Sequence, residues 1–435
     1  MKFYNLHLLK KLTIVLTLSS IIFIFSSSSF AQDGVKDNRY GGFARLFSMG
    51  DNPYIVDPDN IKYNSAYSSV YSNFLWGDIG FSRSIDSIYE YDVGQFVGFN
   101  YQVAEDITLG ILLIREEEIN FKDFLLSKLR KHSIAYLDPN GVVDKVNSIT
   151  SPFVESIVPL DNNLLFLISY KLDKFALGLG VAYASTTNDY KPAKGKGYKN
   201  RASQFGINIG TIGKISSSFS FDAAFSLSIP SAINEPSTGD KIEASATNLM
   251  FDARGFFKLN SEFSLVPTLK FYNSTGTVKV GKESSDLNPF MRLGIGAGII
   301  YQSGSLLISG GPSFIYESQT TPSRSKDIPE LKDSKIYFPV WNLGAEWQFT
   351  DWLVGRAGYV AETYLETNQF PATSKEVDEI NRTEFLRGDV RIGVGFRFSG
   401  FSLDAIVNDD VLREGFNLIG GGTKSFAYLS GSFAF

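Results

Sequence analysis

FALGLGVAYAS, residues 175–185, alternates with period two. Phe175, Leu177, Leu179, Val181 and Tyr183 fall on one face of an extended strand, and Ala176, Gly178, Gly180, Ala182 and Ala184 on the other, because successive strand side chains point to opposite sides. One face is large and apolar, and the other is small. FLRGDVRIGVGFRF, residues 385–398, repeats the pattern with a charged second face: Leu386, Val390, Ile392, Val394, Phe396 and Phe398 oppose Arg387, Asp389, Arg391 and Arg397. A water-soluble sandwich also alternates, but strands of about ten residues or more suit a tilted crossing of a bilayer.

Working outward, seven connections between such segments are tight: VAED (103–106), LDK (172–174), ISSS (215–218), LNSE (259–262), QSG (302–304), TD (350–351) and SG (399–400). Long polar connections separate them, at 187–202, 229–242, 318–334 and 366–384. Short turns on one side and long loops on the other are the habit of outer-membrane barrels, the short side being periplasmic. The expected fold is therefore all-β, a transmembrane antiparallel β-barrel over residues 68–435. Seven hairpins, with SSVYSNFLWGDIGFS before them and SFAYLSGSFAF after, make sixteen strands; fourteen remain if the Ser-rich hairpin near 216 belongs to a loop. The chain ends on Phe433 and Phe435, which the alternation places toward lipid at the periplasmic rim.

At the other end, Lys2, Lys10 and Lys11 precede an apolar run from Leu12 to Phe25, closed by small residues at Ser29 and Ala31. This reads as a signal peptide, residues 1–31, cleaved after Ala31. Its loss removes three lysines and no acid, moving the formal charge from −5 to −8. An acidic chain gives no support to nucleic-acid binding. The chain has no Cys, so an exported fold must rely on backbone pairing and packing. Catalysis finds little material: His7 leaves with the signal and His132 lies in a loop, so neither a catalytic centre nor a metal or other cofactor is expected.

Residues 32–67 precede the barrel without sustained alternation, and GGFARLFSMGDNPYIVDPDNIKYNSAY carries Gly, Pro and Asp at turn positions. Met49, Gly50 and Asp51, followed by Asn64, Ser65 and Ala66, resemble the segment before the first strand of FadL-type outer-membrane transporters of hydrophobic compounds and of the related PorV-like barrels, with Ser65 standing where those families have Pro. The resemblance implies that residues 33–66 form a hatch or plug inside the lumen. It also implies that Phe435 is read by the barrel assembly machinery.

Inward faces are expected to carry Asp252, Arg254 and Lys258; Arg356, Glu362 and Glu366; and Arg387, Asp389, Arg391 and Arg397. Such a wall holds a plug or lines a narrow aqueous path; Arg387, Arg391 and Arg397 are set to pair with Asp51, Asp57 or Asp59. No strand face reads as a continuous apolar inner track. In the longest loop, 118–162, Phe121, Phe124, Leu125 and Leu129 form one stripe of an expected extracellular helix, ended by the DPNG turn at 138–141. That stripe either receives a lipid-like ligand or packs on neighbouring loops. Lys191, Lys194, Lys196, Lys199 and Arg201 mark a loop suited to lipopolysaccharide phosphates or simply to solvent. Three functions compete: a transporter of hydrophobic small molecules past the hatch, an accessory barrel docking protein partners, and a general diffusion porin.

Overall fold

The computed structural model describes residues 40–80, 95–115, 141–149, 156–160, 162–323, 329–372, 376–407 and 426–435. The expected signal peptide, the loop stripe Phe121, Phe124, Leu125 and Leu129, and the side chain of Arg387 lie outside the described residues.

Among the described residues, seventeen strands form one antiparallel sheet. They are β1 (Phe74–Gly80), β2 (Gln95–Ala104), β3 (Ile107–Arg115), β4 (Asn162–Lys171), β5 (Phe175–Tyr190), β6 (Tyr198–Lys214), β7 (Phe219–Glu235), β8 (Ile242–Lys258) and β9 (Phe263–Val280). Then follow β10 (Glu283–Asp286), β11 (Phe290–Ser303), β12 (Leu306–Thr321), β13 (Leu331–Gln348), β14 (Leu353–Pro371), β15 (Val377–Phe398), β16 (Phe401–Val407) and β17 (Phe426–Ala434). β10 is a four-residue outgrowth paired only to the end of β9, so the wall itself has sixteen strands. Closure is made by β1, which pairs β2 through Phe74↔Asn100 and β17 through Phe74↔Ala434 and Gly77↔Gly431.

All seven tight turns connect neighbouring strands, the Ser-rich one included: Ile215 N donates to Phe219 O at 3.0 Å, and Ser216 Oγ accepts from Phe219 N at 3.0 Å. The count is therefore sixteen rather than fourteen.

Side-chain alternation fixes which face meets lipid. On β5, Leu177, Leu179 and Tyr183 are exposed while Ala176, Ala182 and Ala184 are buried. At the turn side of the barrel, outward aromatics gather in neighbouring pairs, with ring centroids 5.8 Å apart for Phe99 and Phe435, 6.0 Å for Phe433 and Phe435, and 4.3 Å for Phe219 and Phe257. An aromatic band at a strand rim marks a bilayer boundary. β15 runs for 22 residues, whereas a tilted crossing needs about 9–11, so the longer strands continue beyond the apolar band on the long-loop side. On β5 that continuation is polar, Ser185 to Asp189.

This orientation is testable because the background has no Cys. Single cysteines at Lys194 and Glu376 are expected to react with an impermeant maleimide in intact cells, and cysteines at Asp173 and Asp351 only after the outer membrane is breached. Labelling in the reverse order would invert the topology.

Candidate functional site: the plugged lumen

The segment before β1 is built from caps. Helix α1 (Phe43–Ser48) is followed by a reversal in which Gly50 and Asp51 have φ of 73° and 48°. Asp57 then starts a 3-10 turn, Pro58–Lys62: its carboxylate accepts from Asp59 N at 2.9 Å, while Asn60 Oδ1 accepts from Asp57 N at 2.9 Å. Asn64 starts the next turn, Ser65–Ser69, by accepting from Ala66 N at 3.0 Å. The Asp, Asn, Pro and Gly content that reads as irregular chain thus supplies the local hydrogen bonds that a compact insert needs.

Residues 40–71 are largely buried against inward strand faces, and four groups of contacts stand out among those that hold them. The first is a chain of alternating charges. Arg45 donates to Glu346 from Nε and Nη2, at 2.8 and 3.1 Å, and to Asp57 from Nη1 at 3.2 Å. Arg356 Nε donates to the same Glu346 at 2.6 Å and its Nη1 lies 2.7 Å from Asp404, to which Arg397 Nη2 also donates at 2.8 Å. The Arg397 guanidinium sits 3.9 Å from the centre of the Tyr40 ring. The second is Arg391, whose Nη1 donates to Asp51 at 2.6 Å and whose guanidinium lies 3.7 Å from the Phe47 ring centre.

The third anchor is Arg254. It forks onto Asp222 at 2.7 and 3.0 Å and donates to the plug carbonyls of Pro53 and Ile55 at 3.1 and 2.9 Å; Tyr67 also donates its hydroxyl to Asp222. The fourth is Asn208, which accepts from both the N–H and the hydroxyl of Ser65, at 2.9 and 2.7 Å, and donates to Tyr63 O at 2.8 Å. A proline at 65 would have neither donor, so Ser65 binds the wall in a way that the resembled motif cannot. Charged hydrogen bonds of this kind are strong where water is excluded.

The small inward residues now have a reason. A Cβ added at Gly178 would collide with Ala66 N, one at Gly210 with Asn64 Oδ1, one at Gly344 with Met49 O, and one at Gly358 with Gly50 N. The plug backbone rests on strand backbone at Gly178, Gly344 and Gly358, and the Asn64 side chain rests on it at Gly210. Gly178→Val or Gly358→Val is therefore expected to lift the plug while leaving the outward faces intact, detected as new protease cleavage within residues 40–70 of a barrel that still migrates as folded. Unchanged protection in both would show that the seat yields.

One sector of the wall is apolar inside. Trp76, Phe96, Leu112, Ile114, Leu165 and Leu167, from β1 to β4, form one buried cluster with Ala182 of β5 and with Ile61, Tyr67 and Tyr71 of the plug. No single strand offers a continuous apolar inner track, as expected, since Asp78, Asn100, Thr108, Asn163 and Ser169 are buried on the same inward faces; the apolar sector is assembled laterally from neighbouring strands, where large residues occupy both faces. A cavity of about 30 Å³ between plug and β7–β9 is lined by both polar and apolar groups, among them Leu46, Tyr63, Asp222, Ala224, Arg254 and Lys270.

No protein-family model and no curated protein matches this chain. Among solved structures, the Pseudomonas putida toluene transporter TodX aligns over 90% of this chain and 96% of its own, at 12% identity and a TM-score of 0.35. BauA, the ferric preacinetobactin receptor of Acinetobacter baumannii, aligns over 77% and 53%, at 11% identity and 0.42. The outer membrane transporter YddB of Escherichia coli aligns over 77% and 59%, at 8% identity and 0.35. The chain is similar to transport barrels of the outer membrane. Likeness of this degree assigns no ligand and no mechanism.

The sequence-derived residues distribute unevenly over the site. Met49, Gly50, Asp51, Asn64, Ser65 and Ala66 are all buried in the plug, and Arg391 meets Asp51 as the charge pattern suggests. Arg397 instead pairs with Asp404, while Asp57 and Asp59 find Arg45 and Lys62 within the plug. Asp252 pairs with Lys270 at 2.6 Å, Asp389 with Arg391 at 2.9 Å, and Glu362 is buried on β14 opposite Arg387 in the register. Lys258 lies exposed at the turn-side end of β8, beyond the lumen. Sequence reasoning missed Arg45, Asp222, Asn208 and Glu346. The signal was present: Asn342, Gly344 and Glu346 alternate with Trp341, Leu343, Ala345 and Trp347.

Proposed function

We propose that the protein is an outer-membrane channel that admits small hydrophobic molecules past its N-terminal segment, which acts as the hatch. The observation that carries this reading is the apolar sector of the inner wall, Trp76, Phe96, Leu112, Ile114, Leu165 and Leu167, covered by Ile61, Tyr67 and Tyr71 of the plug. Barrels that pass hydrated solutes have polar interiors, and an apolar stripe offers nothing to such a solute. If the hatch moves, the same stripe is uncovered and accepts apolar surface. The filled lumen supports a gated path over an open diffusion pore.

Trp76 reports on the track directly, being buried while Trp347 and Trp352 are exposed outward. With the other three tryptophans changed to Phe, a small brominated hydrocarbon is expected to quench Trp76 saturably in detergent. A parallel protein retaining only Trp347 gives the background of partition into the micelle. Quenching of Trp76 that is absent, or linear and equal to that background, would remove the hydrophobic path.

A further inference from the structure

The extracellular mouth holds a second obstruction, separate from the plug. Helix α2 (Gly141–Ile149) and the irregular piece 156–160 belong to the loop between β3 and β4, yet both pack inside the barrel. Val142, Val143 and Val146 of the helix, with Ile157 and Leu160, are buried against Ala184, Ala202, Ala232, Ala244 and Ala246 on the inward faces of β5–β8. Alanine at successive inward positions flattens the wall where the helix lies. Asp144, Ser148 and Ile149 are exposed on the side away from this seat.

Polar clamps fix the same piece in place. Thr186 Oγ1 donates to Val158 O at 2.6 Å, and Asn188 and Asn200 both donate from Nδ2 to Ser156 O, at 3.1 and 3.3 Å. Within the loop, Asn147 Nδ2 donates to Ile157 O at 3.0 Å and Asn147 Oδ1 accepts from Ile157 N at 2.8 Å. A helix resting only on apolar surface slides or lifts easily; one whose neighbouring segment has its carbonyls held by wall side chains does not.

We propose that this inward-folded loop is a resident size filter at the extracellular mouth, in series with the plug, which restricts entry to narrow molecules and stays seated while the plug moves. The inference rests on the channel reading above. Two elements then have different duties: the plug decides when the lumen is open, and α2 decides what fits.

The test uses the protein lacking residues 40–66, so that the filter alone sets the bore, and measures conductance in planar bilayers with polyethylene glycols of graded size. Val143→Asp with Val146→Asp places two charges among alanines and unseats the helix. Ala202→Phe with Ala232→Phe fills the seat from the wall side and keeps it apolar, which serves if the first variant fails to fold. Both are expected to raise the largest polymer that enters, and to raise conductance about twofold, as the narrowest section is relieved. Folded variants with an unchanged polymer cut-off would overturn the filter and leave the channel reading intact. A plug-less parent that carries no current at all would overturn both.

Discussion

Deleting residues 40–66 is expected to turn a nearly silent barrel into one that carries large, steady currents, at least about tenfold above the intact protein. A sixteen-stranded wall encloses an aqueous channel unless side chains or an insert fill it. Here the filling is the N-terminal segment, with Ala44, Met49, Tyr54 and Ala66 fully buried between it and the strands. The wall does not depend on that segment for its strand pairing, since β1 pairs β2 and β17 directly. The deleted protein should therefore still fold, and its heat-modifiable migration checks this independently of current. Intact protein that already conducts like the deleted form would show that the segment is not a barrier, and would restore the open porin.

The second large effect is expected at Arg254. Arg254→Ala removes the cationic partner of a buried carboxylate, Asp222, leaving it the Tyr67 hydroxyl, and frees the carbonyls of Pro53 and Ile55 within the plug. Removing one member of a buried ion pair costs about 3–5 kcal/mol, because the other charge stays desolvated. That cost falls on the seated state and disappears when the plug leaves and water reaches Asp222. Intermittent openings are expected, together with protease cleavage within residues 52–60. Arg254→Lys keeps the charge but loses the fork that spans Asp222 and two carbonyls, so it should open less often than Ala yet more often than wild type. Equal, rare openings in all three proteins would mean that the plug is held elsewhere, with the Arg45, Glu346 and Arg356 chain as the next place to look.

Much of the wall was legible because a membrane strand obeys a severe rule: outward residues meet lipid, so period two is kept strand after strand. FALGLGVAYAS shows both faces at once, and even the doubtful Ser-rich turn follows from Ser216 capping Phe219. The plug was less legible. Its turns come from Asp57, Asn60 and Asn64, which signal reversals but not where the chain goes next. Long-range partners have no local signature: Arg45 and Glu346 are 301 residues apart, and nothing near either names the other. The apolar inner sector escaped for the opposite reason, since Leu112 to Ile114 and Leu164 to Leu167 are apolar on both faces and alternation goes quiet there. In the β3–β4 loop, the helix read from the Phe121 stripe falls outside the described residues, whereas the seated helix begins at Gly141, the last residue of the DPNG stretch.

Ala44 N donates to Ser430 Oγ across 386 residues of chain, and Asp51 reaches Arg391 across 340. The segment before β1 therefore rests on strands that come late in the chain. During biogenesis the seat of α1 is incomplete until β17 has joined β1, because the hydroxyl that receives Ala44 N lies on β17. Long-range contacts of this kind come late in folding. Seating of the segment is then a signature of a closed wall, and a chain truncated before β17 would lack both the closure of its wall and the hydroxyl on which α1 rests.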